Sequence, residues 1–153
     1  MTLKEKIEHD LKEAMKNREE LRLSVLRMLS AALHNKEIEK RGRGVSPELT
    51  EEETVAVLRT EVKKRKDSVE GFEKGARLEL AEKERNEIKI IEPYLPRELS
   101  DADLEKIVSE VIAAAGEVAE KDFGRVMGEA MKRAKGHASG ERVSAILKKF
   151  LQK

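Results

Sequence analysis

The chain has 153 residues, 41% of them charged and 3% aromatic, with neither Trp nor Cys and a net charge of +1. That length suits one domain or two small ones. The composition excludes disulfides and thiolate metal sites, disfavours sheets, and leaves no apolar run near the roughly 20 residues a bilayer span needs. No signal-peptide core opens the sequence, so a soluble, cytoplasmic protein without a membrane partner is expected.

Seven helices can be read in chain order. Thr2 with Glu5 forms a capping box ahead of Leu3, Ile7, Leu11, Ala14 and Met15, and Asn17 marks a break. Glu19 to Lys40 carries Leu21, Val25, Leu26, Leu29, Ala32 and Leu33, with Leu23 and Met28 outside that stripe. Gly42, Gly44 and Pro47 read as a loop. Thr50 with Glu53 opens a third helix through Val55, Leu58, Val62, Val69 and Phe72, ended by Gly75. A fourth, about 76–91, carries Leu80, Ala81, Ile88 and Ile91.

The stretch "EPYLPREL" follows, with Pro93 and Pro96 three residues apart. Each lacks a donor and pushes its predecessor out of helical geometry, so 93–99 is expected to link a domain over 1–92 to one over 100–153. Three short helices complete the chain. Ser100 and Asp103 open one bearing Leu104, Ile107, Val108, Val111, Ile112 and Ala115, ended by Gly116. Asp122 is expected to cap the next, with Phe123, Val126, Met127, Ala130, Met131 and Ala134, ended by Gly136. Ser139 or Gly140 begins the last, with Val143, Ile146, Leu147 and Phe150. The fold class is all-α, in two helical domains.

Charge changes at the prolines. Residues 1–92 carry 21 basic and 21 acidic side chains, 93–120 carry two and seven, and 121–153 carry nine and three. A basic C-terminal third is hidden in a neutral average.

Motifs for chemistry are sparse. His9, His34 and His137 are scattered and lack metal-site spacing. "DFG" at Asp122–Gly124 has none of the other kinase motifs around it, and "GRG" at Gly42–Gly44 lacks the rest of a phosphate loop. Glu52 and Glu53 offset a helix dipole, and no aromatic platform for single-stranded bases is evident. No catalytic residue, metal or cofactor is assigned.

Two basic features remain. "KKRK", Lys63, Lys64, Arg65 and Lys66, lies inside a helix where successive residues fan out by about 100°, so it is read mainly as solvated surface, with Arg59 and Arg77 nearby. In "AMKRAKGHASGERVSAILKKF" (130–150), Lys132, Arg133 and Lys135 end one helix. Positive charge there offsets unsatisfied carbonyls. After Gly136 the chain enters another helix, whose first N–H groups attract anions, and Arg142, Lys148 and Lys149 continue the charge. Lys132, Arg133, Lys135, Gly136, Arg142 and Lys149 are therefore the candidate phosphate-binding set.

Longer stretches resemble a known family. "RLSVLRMLSAALHNKEIE" (22–39), "EVKKRKDSVEGFEKGARLELAEKE" (61–84), "IIEPYLPRELSDADL" (90–104) and "DFGRVMGEAMKRAKGHASGERVSAILKKFL" (122–151) are similar to the YqeY-like proteins of the GatB/YqeY family. The resemblance implies an all-helical protein whose second domain is similar to the tail of the tRNA-dependent amidotransferase B subunit. It also implies an association with glutamine-dependent carbon–nitrogen ligases, although these 153 residues hold no counterpart of the catalytic cradle of that enzyme. The expected role is a non-catalytic accessory module whose partner is tRNA or a tRNA–amidotransferase complex. The alternatives are a protein-interaction adaptor using the N-terminal helices, with Leu23 and Met28 exposed, and an autonomous amidotransferase.

Overall fold

The computed structural model describes residues 1–116, 119–135 and 137–151. Among them are seven α-helices and no strand: α1 (Leu3–Lys16), α2 (Glu20–Gly42), α3 (Glu51–Lys74), α4 (Leu78–Ile91), α5 (Asp101–Ala115), α6 (Phe123–Ala134) and α7 (Gly140–Leu151). The all-α expectation holds. The chain divides into two compact units, Met1–Leu95 and Pro96–Lys153.

In the first unit both capping boxes form. Thr2 Oγ1 accepts from Glu5 N at 3.2 Å and the Glu5 carboxylate accepts from Thr2 N at 2.9 Å. Thr50 and Glu53 repeat the pattern at 3.1 and 3.3 Å. Each box satisfies two amides that a helix start otherwise leaves open. Arg18 reverses the chain between α1 and α2 in the left-handed region, at φ +56°. Between α3 and α4 the left-handed residue is Ala76, at φ +57°, while Gly75 before it stays at φ −85°.

The core joins Ile7 and Ala14 of α1, Val25, Leu26, Leu29 and Leu33 of α2, Leu58 and Val62 of α3, and Ile88 and Ile91 of α4. Three stripe residues behave otherwise than their spacing predicts: Met15, Leu21 and Leu80 are exposed. Leu23, expected on the surface, is partly buried, packed against this core.

The proline segment has contacts of its own. Pro93 sits in a single 3-10 turn, Glu92–Tyr94, and Tyr94 is buried in the first core. Its hydroxyl donates to Asp10 Oδ2 at 2.5 Å, and Arg22 lies 3.6 Å from the same oxygen.

The second unit packs α5, α6 and α7 around Leu104, Val108, Val111, Val126, Ala130, Ala134, Val143 and Leu147. Phe123, Met127 and Met131 are partly buried against them, as the α6 periodicity predicts. Ser100 Oγ accepts from Asp103 N at 3.2 Å and so caps α5. Asp122 does not cap α6 through its side chain. Its Oδ2 accepts instead from Ala119 N at 3.1 Å, closing the 3-10 turn that precedes the helix. The helix end assigned to Gly136 lies outside the described residues; the C-cap of α6 is Lys135, itself left-handed at φ +48°.

Candidate functional site

The turn from α6 to α7 is more closed than the sequence suggests. Ser139 Oγ accepts from Arg142 N at 3.3 Å, so one of the amides expected to attract an anion already has a partner. The His137 carbonyl accepts from Leu99 N at 2.8 Å, and His137 Nδ1 donates to the Arg97 carbonyl at 2.7 Å. The imidazole thus fastens the turn to the segment before α5.

Arg142 strengthens that fastening. Its Nη2 donates to the Leu99 carbonyl and to Asp101 Oδ1, both at 2.8 Å, and its Nη1 lies 3.4 Å from Glu98 Oε2. A planar guanidinium engaged by one carbonyl and two carboxylates has few donors left for a phosphate. Arg142 is therefore corrected from a phosphate contact to a clasp between the first turn of α7 and the start of α5.

The remaining cations of the set are more available. Lys132 lies 3.6 Å from Glu129, Arg133 lies 3.7 Å from Glu110, and Lys149 lies 3.8 Å from Glu105. All three pairs exceed hydrogen-bond length and all three basic side chains are exposed. Lys135 is exposed and makes no ion pair among the described residues, and Lys148 is exposed beside Lys149. Gly136, the sixth member, lies outside the described residues. Arg133 also lines a shallow groove of about 240 Å³ between α5 and α6, together with Arg125, Glu129, Val111 and Val126.

These pairs explain the charge asymmetry. Asp101, Glu105 and Glu110 of α5 meet Arg142, Lys149 and Arg133 from the other two helices. The acidic run and the basic run are partly each other's partners, and residues 96–153 carry eleven basic and ten acidic side chains.

The secondary basic surface needs one removal. Lys63, Lys64, Lys66 and Arg77 are exposed and Arg59 is half-buried, but Arg65 is buried. Arg65 Nη1 donates to the Glu61 carbonyl and to Glu61 Oε2, both at 3.0 Å. Its Nη2 approaches Met28 Sδ at 3.6 Å and its Nε lies 3.6 Å from buried Glu87. Arg65 joins α2, α3 and α4 and is no part of a surface patch. Desolvation, reinforced by neighbouring Glu87, pushes the Glu84 carboxyl above its ordinary range.

Sequence reasoning missed this cluster although a signal was present: Leu58, Val62, Arg65, Val69 and Phe72 continue one stripe with a charge in its middle. It also missed Tyr94, whose position between two prolines gives no hint of Asp10. Burial first, then the hydrogen bond to Asp10, pushes the Tyr94 phenol up to about 12. His9 and His34 are exposed, and no group of three His, Cys, Asp or Glu among the described residues could hold a metal ion.

A protein called altered inheritance of mitochondria protein 41, mitochondrial, from Lachancea thermotolerans is 35% identical over 108 residues, covering 69% of this chain and 56% of its own length. The protein of the same name from Kluyveromyces lactis is 36% identical over 111 residues, covering 69% and 58%. An uncharacterised protein of Schizosaccharomyces pombe is 34% identical over 95 residues, covering 62% and 73%. The chain thus spans little more than half the length of the first two relatives.

Those names overturn the expected cytoplasmic location, since the relatives that carry a compartment in their names are mitochondrial. The expectation rested on the lack of Cys, of a spanning segment and of a signal-peptide core, and none of these properties distinguishes the cytoplasm from the inside of an organelle. No helix among the described residues is long and apolar enough to cross a membrane. A family model described as Yqey-like protein matches residues 4–151, all but the first three and last two positions, and the chain belongs to that family.

Proposed function

We propose that this chain is a non-catalytic RNA-binding accessory protein associated with tRNA-dependent amidation, and that its C-terminal unit meets the phosphates of a folded tRNA. The observation that carries the reading is the last turn of α6, where Lys132, Arg133 and Lys135 are exposed within four residues. The ion pairs of Lys132 and Arg133 are long and solvated, of the kind worth about 0–1 kcal/mol, so a phosphate displaces Glu129 or Glu110 at little cost. Lys149 adds a fourth cation on α7. The resemblance of residues 122–151 to the GatB/YqeY family implies a second domain similar to the amidotransferase tail, which favours the same reading and makes amidation an association and not an activity of these residues. Lysines without aromatic platforms suit recognition of shape and backbone, not of bases.

The test is fluorescence anisotropy of labelled tRNA with the full chain over a salt series. Two to four neutralised phosphates give a log–log slope of about −1.5 to −3.5. Lys132→Ala with Lys135→Ala is expected to weaken binding roughly tenfold and flatten the slope by about 1–2. A slope near zero, or affinity unchanged in the double variant, refutes the reading.

A further inference from the structure

On α2 the residues Leu21, Ser24, Met28, Ala31, Asn35 and Ile38 are all exposed, with Leu21 at 41%, Met28 at 48% and Ile38 at 51%. Their spacing of three and four residues keeps them on one ribbon of the helix, the spacing by which one helix receives another. In a chain 41% charged, this ribbon holds no charged residue between Leu21 and Ile38. Ser24 and Ala31 are small and alternate with Leu21 and Met28, a relief into which knobs of a second helix fit, and Asn35 and Ile38 continue the ribbon.

One edge of the ribbon is basic. Arg27, His34 and Arg41 recur at seven-residue intervals, and all three are exposed. Arg27 and Arg41 make no ion pair among the described residues, and His34 lies 3.6 Å from Glu37. The other edge turns toward α3, where Met28 Sδ meets Arg65.

We infer that this face of α2 docks an amphipathic helix of a partner protein, apolar along its centre and acidic along the edge that meets Arg27, His34 and Arg41. The charge pattern selects that occupant over a second copy of the chain. An antiparallel two-fold pairing sets a flanking edge against the same edge of its copy, and here that edge is basic on both sides. A helix laid into such a face is a recurrent mode of recognition, and the acidic edge supplies its orientation. The inference rests on the first unit and is independent of the phosphate reading.

The probe is a synthetic 21-residue helical peptide with Leu at the a and d heptad positions and Glu along both flanks, titrated against the full chain. Saturable binding is expected, weakened at least tenfold by Ala31→Glu. Arg27→Glu with Arg41→Glu is expected to reverse the preference toward a second peptide whose flanks are Lys. These positions are exposed, and circular dichroism verifies that each variant keeps its helices. Absence of saturation at 1 mM peptide, equal binding by all variants, or indifference to the flank charge overturns the inference. A dimer in sedimentation that disappears in Ala31→Glu overturns it too, because the occupant is then a second copy.

Discussion

Tyr94 ties residues 84 positions apart, donating to Asp10 Oδ2 from inside the first core. A hydrogen bond to a charged acceptor contributes about 1.5–3 kcal/mol, so Tyr94→Phe is expected to lose that much at neutral pH. Because burial raises the phenol to about 12 from its ordinary 10.0, the folded protein keeps a proton that the unfolded chain has released. Stability from this group is therefore complete below pH 10 and lost as pH rises toward 12. Urea unfolding of both forms from pH 8 to 11.5 checks this: the gap between wild type and Tyr94→Phe narrows. Arg65 has the opposite character, a buried charge held by Glu61 and Glu87. Arg65→Met strands two carboxylates and is expected to cost about 3–5 kcal/mol. Adding Glu87→Gln removes one stranded charge, so the double variant unfolds at higher urea than Arg65→Met alone.

At the scale of the helices, the start of α3 gathers several interactions. Thr50 and Glu53 form the capping box, and Lys40 of α2 reaches both Glu53, at 2.8 Å, and the Glu48 carbonyl, at 2.6 Å. Lys40 first, then the Thr50 amide, holds the Glu53 carboxyl below its ordinary 4.5. The stabilisation is present above that value and is lost as pH falls through the lower folded value. Thr50→Ala is expected to cost about 0.5–2 kcal/mol, and Glu53→Gln to make stability less steep between pH 5 and 3, both read from urea midpoints. Features of this local kind were legible in the sequence. Thr2 with Glu5, Thr50 with Glu53 and the α6 stripe are written within a few residues, so periodicity and capping chemistry found them. What escaped depends on distant chain. Asp122 turned to Ala119 instead of α6, Lys135 took the left-handed position expected near Gly136, and Arg142 found Asp101 forty-one residues away. The cations of the candidate site could be named from the sequence, but their carboxylates on α5 could not.

Across the whole molecule, a basic third beside an acidic run invites a nucleic-acid reading, yet folding sets much of that charge against itself. Residues 96–153 carry a net charge of +1, with Glu105 and Glu110 placed beside Lys149 and Arg133 at 3.8 and 3.7 Å. Exposed pairs of that length contribute little to stability, so raising salt from 0.05 to 0.5 M is expected to leave the melting temperature within a few degrees. Phosphate binding responds to the same change very differently, because each neutralised phosphate releases a counterion. A slope of about −1.5 to −3.5 reduces affinity by roughly 30- to 3,000-fold over that range. The two salt dependences separate a structural role for these cations from a binding one. Glu105→Gln with Glu110→Gln sharpens the distinction, since it releases Lys149 and Arg133 and raises the unit from +1 to +3. If those side chains serve RNA, tRNA affinity at fixed salt rises severalfold while stability falls by about 1 kcal/mol at most. Stability falling by several kcal/mol with no gain in affinity instead makes the pairs part of the scaffold and leaves Lys132 and Lys135 as the cations through which RNA could be held.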